Sequence, residues 1–311
     1  MIDDWRKDFV FICPNKNEVI NQLLDKYSEG IHELDFDGVF LDRIRMTSPS
    51  VGFEMLFSCF CTQCRDKYYK KSGEDLFEFV DLIKKYFDKL KNNDVSFFGQ
   101  AKSLGDLVYS KELQPLLDFR KASIFELVKK FSDIARQNQK KVGLDLFSPS
   151  LAKLVSQDYE LLGGLSDWIK PMIYCKANGP AGISLELHSL LKSLVILNNN
   201  KNERKLLELC KVILGIDLPK KIDDLLINGV SQDLFLKEVE NINNMNLKTG
   251  VKNFPGIETV NISNICEMQE ENLGKYLVNI NKSNVEGIVL SWNLLETPLQ
   301  NLIFIGDFLD R

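Results

Sequence analysis

Histidine is nearly missing from this 311-residue chain, which has only His32 and His188. Both lie in helical patterns and neither neighbours a nucleophile motif. That argues against a His-based triad and against a His-rich metal site. Positive charge is also short: 39 Lys and Arg against 44 Asp and Glu give a formal net charge of −5. The basic footprint of a nucleic-acid binder is therefore absent. No apolar run approaches the roughly 18 residues that span a bilayer. The opening MIDDWRKDF is acidic and poor in apolar residues, unlike a signal peptide. Neither a GxGxxG nor a Walker A loop occurs, and NGPAG at 178–182 reads as a turn or substrate lid. The seven cysteines are an odd number, not a secreted disulfide framework, so a reducing, cytoplasmic compartment is expected.

What is present is a full core, at 44% hydrophobic residues, and a repeated alternation of element types. Short apolar, β-branched runs read as strands at Phe9–Cys13, Phe36–Ile44, Lys141–Phe147, Asp167–Tyr174, Leu247–Phe254 and Val285–Leu294. Helical spacing fills the intervals, including Glu258–Ile280, and the long interval 66–139 reads as a helical insertion. Such an order demands right-handed crossovers and a mostly parallel sheet. Polar and turn residues gather at the strand C-termini, as in a (β/α)8 TIM-type barrel. Six strands are assigned rather than eight. The expectation is one α/β barrel domain over 1–311, N-terminally incomplete, closed by a partner chain or oligomer, or carrying two strands that the pattern hides.

The richest stretch is 36–64, FDGVFLDRIRMTSPSVGFEMLFSCFCTQC. Period-2 alternation puts Gly38, Phe40 and Asp42 on one face, with Asp42 at the strand's end. A carboxylate there can act as nucleophile or acid/base, or it can pair with Arg43 or Arg45 and pin the loop. On the Lys141–Phe147 strand, Gly143, Asp145 and Phe147 share a face. Asp145 is either the second carboxylate of a pair or a buried partner of Lys170. Tyr174 and Trp292 end their strands and suit stacking on a sugar, although either could be an ordinary core aromatic. Asn253 and Asn293 could bind hydroxyls, Arg43 and Arg45 could orient the acid or hold an anionic substituent, and Glu54 and Glu258 are reserve acids. Cys59, Cys61 and Cys64 offer three thiolates in six residues. Cys13, on the same rim, could complete a closed structural zinc site, unless the four are buried free thiols. No cofactor is expected for catalysis itself.

FDGVFLDRIR, CFCTQC, GLDLFSPSLA, DWIKPMIY with GPAG, and GIVLSWNLL together resemble the uncharacterised glycoside-hydrolase-like TIM barrels of bacteria. The resemblance spans roughly 9–305 and implies a barrel with its central acid at Asp42. It also implies a carbohydrate substrate, with hydrolysis of a glycosidic bond by Asp42 and Asp145. A non-catalytic carbohydrate-binding or scaffold barrel is the competing expectation. Such proteins carry two further strands before the segment matching FVFIC. The cysteine cluster is similar to the three-cysteine zinc element of glycoside hydrolase family 42 β-galactosidases, which also draw a fourth cysteine from upstream.

Overall fold

The computed structural model describes residues 11–92 and 96–310. Its centre is a parallel sheet in the order β1 (Gly38–Leu41), β2 (Lys141–Phe147), β3 (Trp168–Met172), β5 (Gly256–Glu258) and β8 (Val289–Ser291). The short β4 (Lys252–Asn253) also pairs with β3, just ahead of β5. The result is a curled half-barrel of five strand positions, and a complete eight-stranded barrel is not formed among the described residues. Phe9 and Val10 of the first expected strand lie outside the described residues, and Phe11–Cys13 belong to no strand. β6 (Asn261–Ile262) and β7 (Cys266–Glu267) form a separate antiparallel pair where the sequence reads as helix. The helix there begins only at Glu270.

β2 explains the sheet's position. Six of its seven residues are buried, the near-continuous apolar pattern of a strand covered on both faces. Helix α1 (Asn17–Glu33) and the later crossover helix Gln114–Gln137 pack together, and the latter covers β1 and β2. The other face carries Phe40, Gly143 and Trp168 at one level, because Phe40 pairs with Gly143 and Gly143 with Trp168. The Phe40 and Trp168 rings stack across the glycine at 4.9 Å with planes 3° apart. A Cβ on Gly143 would lie 2.3 Å from the indole, so only glycine permits this close approach.

Pro171 sits in β3, a central strand, where a missing N–H would normally cost a ladder bond. Ile173 N bonds Gly256 O and Phe254 N bonds Ile169 O. By alternation, the donor that Pro171 lacks would have faced Phe254. That missing donor leaves one gap in the β3 pairing, which keeps its register and resumes at Gly256. Pro255 faces the other way, toward β8, where its carbonyl accepts Val289 N. Pro255-Gly256 looks like a strand terminator in the sequence, yet it is a break inside the strand, and this moves Glu258 from the start of the expected helix Glu258–Ile280 to the strand's last residue.

Between β1 and β2 lie helices α2 (Thr62–Ser72), α3 (Phe79–Lys91) and α4 (Gln114–Gln137), joined by 3-10 turns. Phe53, Phe57, Tyr86, Phe87 and Tyr109 meet there at tilted and edge-to-face angles, with ring centroids 5.6–6.1 Å apart. On the far side run α5 (Ile183–Leu197), α6 (Glu203–Leu214) and α7 (Asp233–Thr249), then α8 (Glu270–Asn281) and α9 (Leu299–Leu309). The stretch Val212–Leu218, readable from the sequence as a short strand or a loop, is the end of α6 to Leu214 followed by a loop. Among the described residues no helix is long and apolar enough to cross a membrane.

Candidate functional site

The register of three parallel strands assembles a polar cluster at their C-terminal ends. Leu41 pairs with Leu144, so Asp42 and Asp145 follow at the same level, and Asp145 pairs with Lys170. Asp145 is 6% exposed, and its Oδ2 accepts a hydrogen bond from Lys170 Nζ at 2.9 Å. Its Oδ1 is buried without a partner. Burial pushes the Asp145 carboxyl up to about 6; Lys170 opposes the rise and the nearby Asp42 charge adds to it. Lys170 Nζ lies 5.6 Å from the Phe40 ring centre and 5.8 Å from that of Tyr174, so all three belong to one face. The Asp145–Lys170 ion pair, weighed in the sequence as an alternative, is therefore formed.

Gly256 opens the space next to this pair. A Cβ there would lie 2.7 Å from Lys170 Cε and 3.3 Å from both Tyr174 OH and Ser291 Oγ. Both hydroxyls are buried beside each other and find no partner beyond that pairing. Three buried polar atoms, Asp145 Oδ1, Tyr174 OH and Ser291 Oγ, thus gather where backbone replaces a side chain. Orphaned buried polar groups are costly, and ligands or ordered water usually satisfy them. Asp42 is exposed, and its Oδ1 accepts the backbone N–H of Arg43 at 2.5 Å. Arg43 itself takes a left-handed backbone, φ 57°.

No family model matches the chain, and no curated protein matches it. Among solved structures it is similar to a glycoside hydrolase domain. That is the domain of PgaB (BpsB) from Bordetella bronchiseptica, at 9% identity and a TM-score of 0.47. The alignment covers 96% of this chain and 62% of that one, so the chain spans less than two thirds of that protein's length.

The other expected residues divide. Trp292 packs edge-on against Tyr174 at 5.6 Å and 87°, and rests on Gly179 of the NGPAG loop. Tyr174 itself is fully buried, so its ring offers no open stacking face; only its hydroxyl reaches the cluster. Arg45 is not a rim cation. It is buried between the Phe11 and Phe147 rings, 4.7 and 4.4 Å from their centres, and donates to Met46 O. Asn293 is exposed and caps a turn by accepting from Leu295 N. Asn253 pairs with Ile169, on the face opposite Trp168 and Lys170, and is not part of the cluster. Glu258 is fully buried, clamped by Lys176 N and the Tyr276 hydroxyl at 2.5 and 2.9 Å. Glu54 is exposed in a 3-10 turn. Ser291 and Gly256 were not singled out by sequence. The signal for both was the alternation of PGIE and VLSW through a break that the dipeptide Pro-Gly disguises.

The four cysteines of the other cluster do come together. The sulfurs of Cys13, Cys59, Cys61 and Cys64 all lie within 4.8 Å of one another, and Cys13 Sγ is 3.7 Å from Cys61 and 3.3 Å from Cys64. Tetrahedral zinc with bonds of about 2.3 Å separates its sulfurs by roughly 3.8 Å, so the donor set fits such an ion. As thiols, the four share protons unequally. Hydrogen bonds from Cys13 and Cys64 hold the Cys59 thiol well below its ordinary range, and its bond with Cys59 pushes Cys13 up. Cys175, Cys210 and Cys266 are buried elsewhere.

Proposed function

We propose that this chain is a carbohydrate-active hydrolase of glycoside hydrolase type, with Asp42 and Asp145 as its carboxylate pair. The observation that carries the reading is the difference between the two acids. Asp145 is buried, near half-protonation at about pH 6, with one oxygen held by Lys170 and the other free. Asp42, on the neighbouring strand end, is open to water. Glycosidic cleavage needs such a pair: one carboxyl protonates the leaving oxygen, and a carboxylate attacks the anomeric carbon or activates water. Asp145 takes the acid role and Asp42 the second. Tyr174 OH and Ser291 Oγ would bind sugar hydroxyls, and Trp292 and the stacked Phe40–Trp168 pair supply aromatic surface.

The test is hydrolysis of a panel of aryl glycosides by wild type, Asp42→Asn and Asp145→Asn. Loss of at least 100-fold in kcat for both variants is expected, on the scale of acid–base contributions. Equal rates in wild type and either variant refute the role given to that acid. The Asp145–Lys170 pair also fits a non-catalytic carbohydrate-binding barrel. In that case wild type hydrolyses none of the panel and still binds oligosaccharide, with weaker binding in Asp145→Asn.

We infer, separately, that Cys13, Cys59, Cys61 and Cys64 hold a structural zinc ion. The fit of four sulfurs drawn from two distant segments supports it. Four thiolates close the coordination shell, so the ion would staple the loop after β1 to the start of α1 rather than activate water. Protein purified without chelator should contain about one zinc per chain and Cys61→Ser much less; metal-free wild type would refute the site.

A further inference from the structure

Arg120, on α4, heads the largest fully buried side chains among the described residues, at 1% exposure. Its Nη1 donates to Leu56 O and, at 3.2 Å, to the Tyr109 hydroxyl. Its Nε and Nη2 have no partner, and no carboxylate pairs with it among the described residues. A guanidinium stays charged in a protein, and an uncompensated buried charge is among the costliest groups a fold can carry. Burial lowers the Arg120 pKa. The Tyr109 hydroxyl, and then Cys64 and Cys59, oppose that fall.

The surroundings of the cysteines point hydrogen-bond donors at sulfur. Asn15 is buried and donates its Nδ2 to Cys64 Sγ at 3.3 Å and to Ser123 Oγ at 3.0 Å. Lys67 Nζ, itself ion-paired with Glu126 at 2.7 Å, donates to Asn15 Oδ1 at 2.7 Å. Cys61 N points at Cys59 Sγ at 3.4 Å. Ser123 stands three residues after Arg120 on α4, so one helix face presents both the cation and the serine to the cysteine loop. Donors aimed at sulfur and a buried cation nearby are the environment of thiolates.

We propose that Arg120 is the buried counter-cation of a tetrathiolate centre holding a soft divalent metal, zinc by its ligand set. The proposal rests on the metal reading of the four cysteines. Four thiolates and one divalent ion leave a charge of −2, and Arg120 offsets half of it from inside the core. The metal in turn supplies the anion that the guanidinium otherwise lacks. Metal binding and the seating of α4 are thus coupled, and by linkage each strengthens the other equally.

The test compares Arg120→Gln, which keeps a hydrogen bond to Leu56 O but loses the charge, with Arg120→Lys, which keeps the charge. Zinc affinity is read by competition with a chromogenic chelator. The Gln variant should bind zinc 10- to 100-fold more weakly, the range for lost outer-sphere partners, and the Lys variant should recover most of it. Equal weakening in both, or none in either, overturns the charge argument. A second measurement needs no variant: amide exchange over 116–124 in wild type should speed up when zinc is stripped, and unchanged exchange overturns the coupling. Wild type that binds no zinc defeats the metal reading itself, and that outcome is recognised before any Arg120 variant is made.

Discussion

Glu258→Gln isolates one proton in the stability of this fold. Glu258 closes β5, is fully buried, and accepts from Lys176 N and from the Tyr276 hydroxyl. Burial pushes its carboxyl from 4.5 up to about 7 despite those bonds. A raised carboxyl pKa means the folded state holds the proton more tightly than the unfolded chain. Its contribution is therefore complete below about pH 4.5 and is lost as pH rises through about 7. The interval from 4.5 to about 7 amounts to about 3 kcal/mol at roughly 1.4 kcal/mol per pH unit. Glutamine is neutral at every pH and keeps an acceptor for Lys176 N. Urea unfolding of wild type and variant at pH 5, 6, 7 and 8 gives the difference in stability at each pH. That difference should move by about 2–3 kcal/mol in favour of the variant between pH 5 and 8. Asp145, Glu238 and the cysteines titrate in both proteins and cancel. A difference that stays flat with pH would show that Glu258 is already ionised in the fold, and the burial argument would fail.

Other perturbations follow from the same geometry. Lys170→Met leaves Asp145 without its 2.9 Å partner, pushing that carboxyl above about 6 and costing about 3 kcal/mol at pH 8 but much less at pH 5, by chemical denaturation. Gly143→Ala puts a Cβ 2.3 Å from the Trp168 ring and should cost about 1–3 kcal/mol, with a shift in tryptophan emission as the Phe40 stack opens. Asn253→Leu removes a buried amide whose nitrogen and oxygen both lack partners, and should be neutral or raise Tm, whereas a large loss would reveal a bridging water.

The sequence makes β1, β2 and β3 legible because their apolar runs are long and one chemistry holds throughout each. β2 is buried on both faces and reads as a continuous apolar run. β5 is hidden because its start is Pro255-Gly256, and local turn chemistry outweighs three residues of strand. The strand nevertheless keeps its register with β3 across that break, which no local reading can see. The same limit governs the side chains. Asp42, Asp145 and Lys170 share a level through register that alternation already implied. Arg45 reads in the sequence as a residue that orients the acid or holds an anion, and Tyr174 as a strand-end ring for a sugar or an ordinary core aromatic, but packing against Phe11 and Phe147, and beneath Trp292, takes both out of solvent. The cysteine cluster was legible for the opposite reason: three of its members are neighbours in sequence, and only Cys13 had to be brought across the fold.

The buried ionisable groups are concentrated where the strands end. Asp145 ends up at about 6, and Glu258 and Glu238 at about 7, all by burial. Apolar residues of the same size would hold these positions at less cost, since a buried ion pair is often no more stable than a hydrophobic replacement. Two of the three nevertheless have structural tasks visible in their bonds. Glu258 ties the Lys176 loop and Tyr276 to β5, and Glu238 accepts Ser150 N at the turn that leaves β2. Asp145 differs, because one of its oxygens is tied to Lys170 and the other bonds to nothing. A purely structural carboxylate would satisfy both oxygens, as Glu186 does with Ser48, Ser50 and Ala181. The free oxygen, beside two buried hydroxyls over a glycine, is the feature that supports the site proposed for this half-barrel.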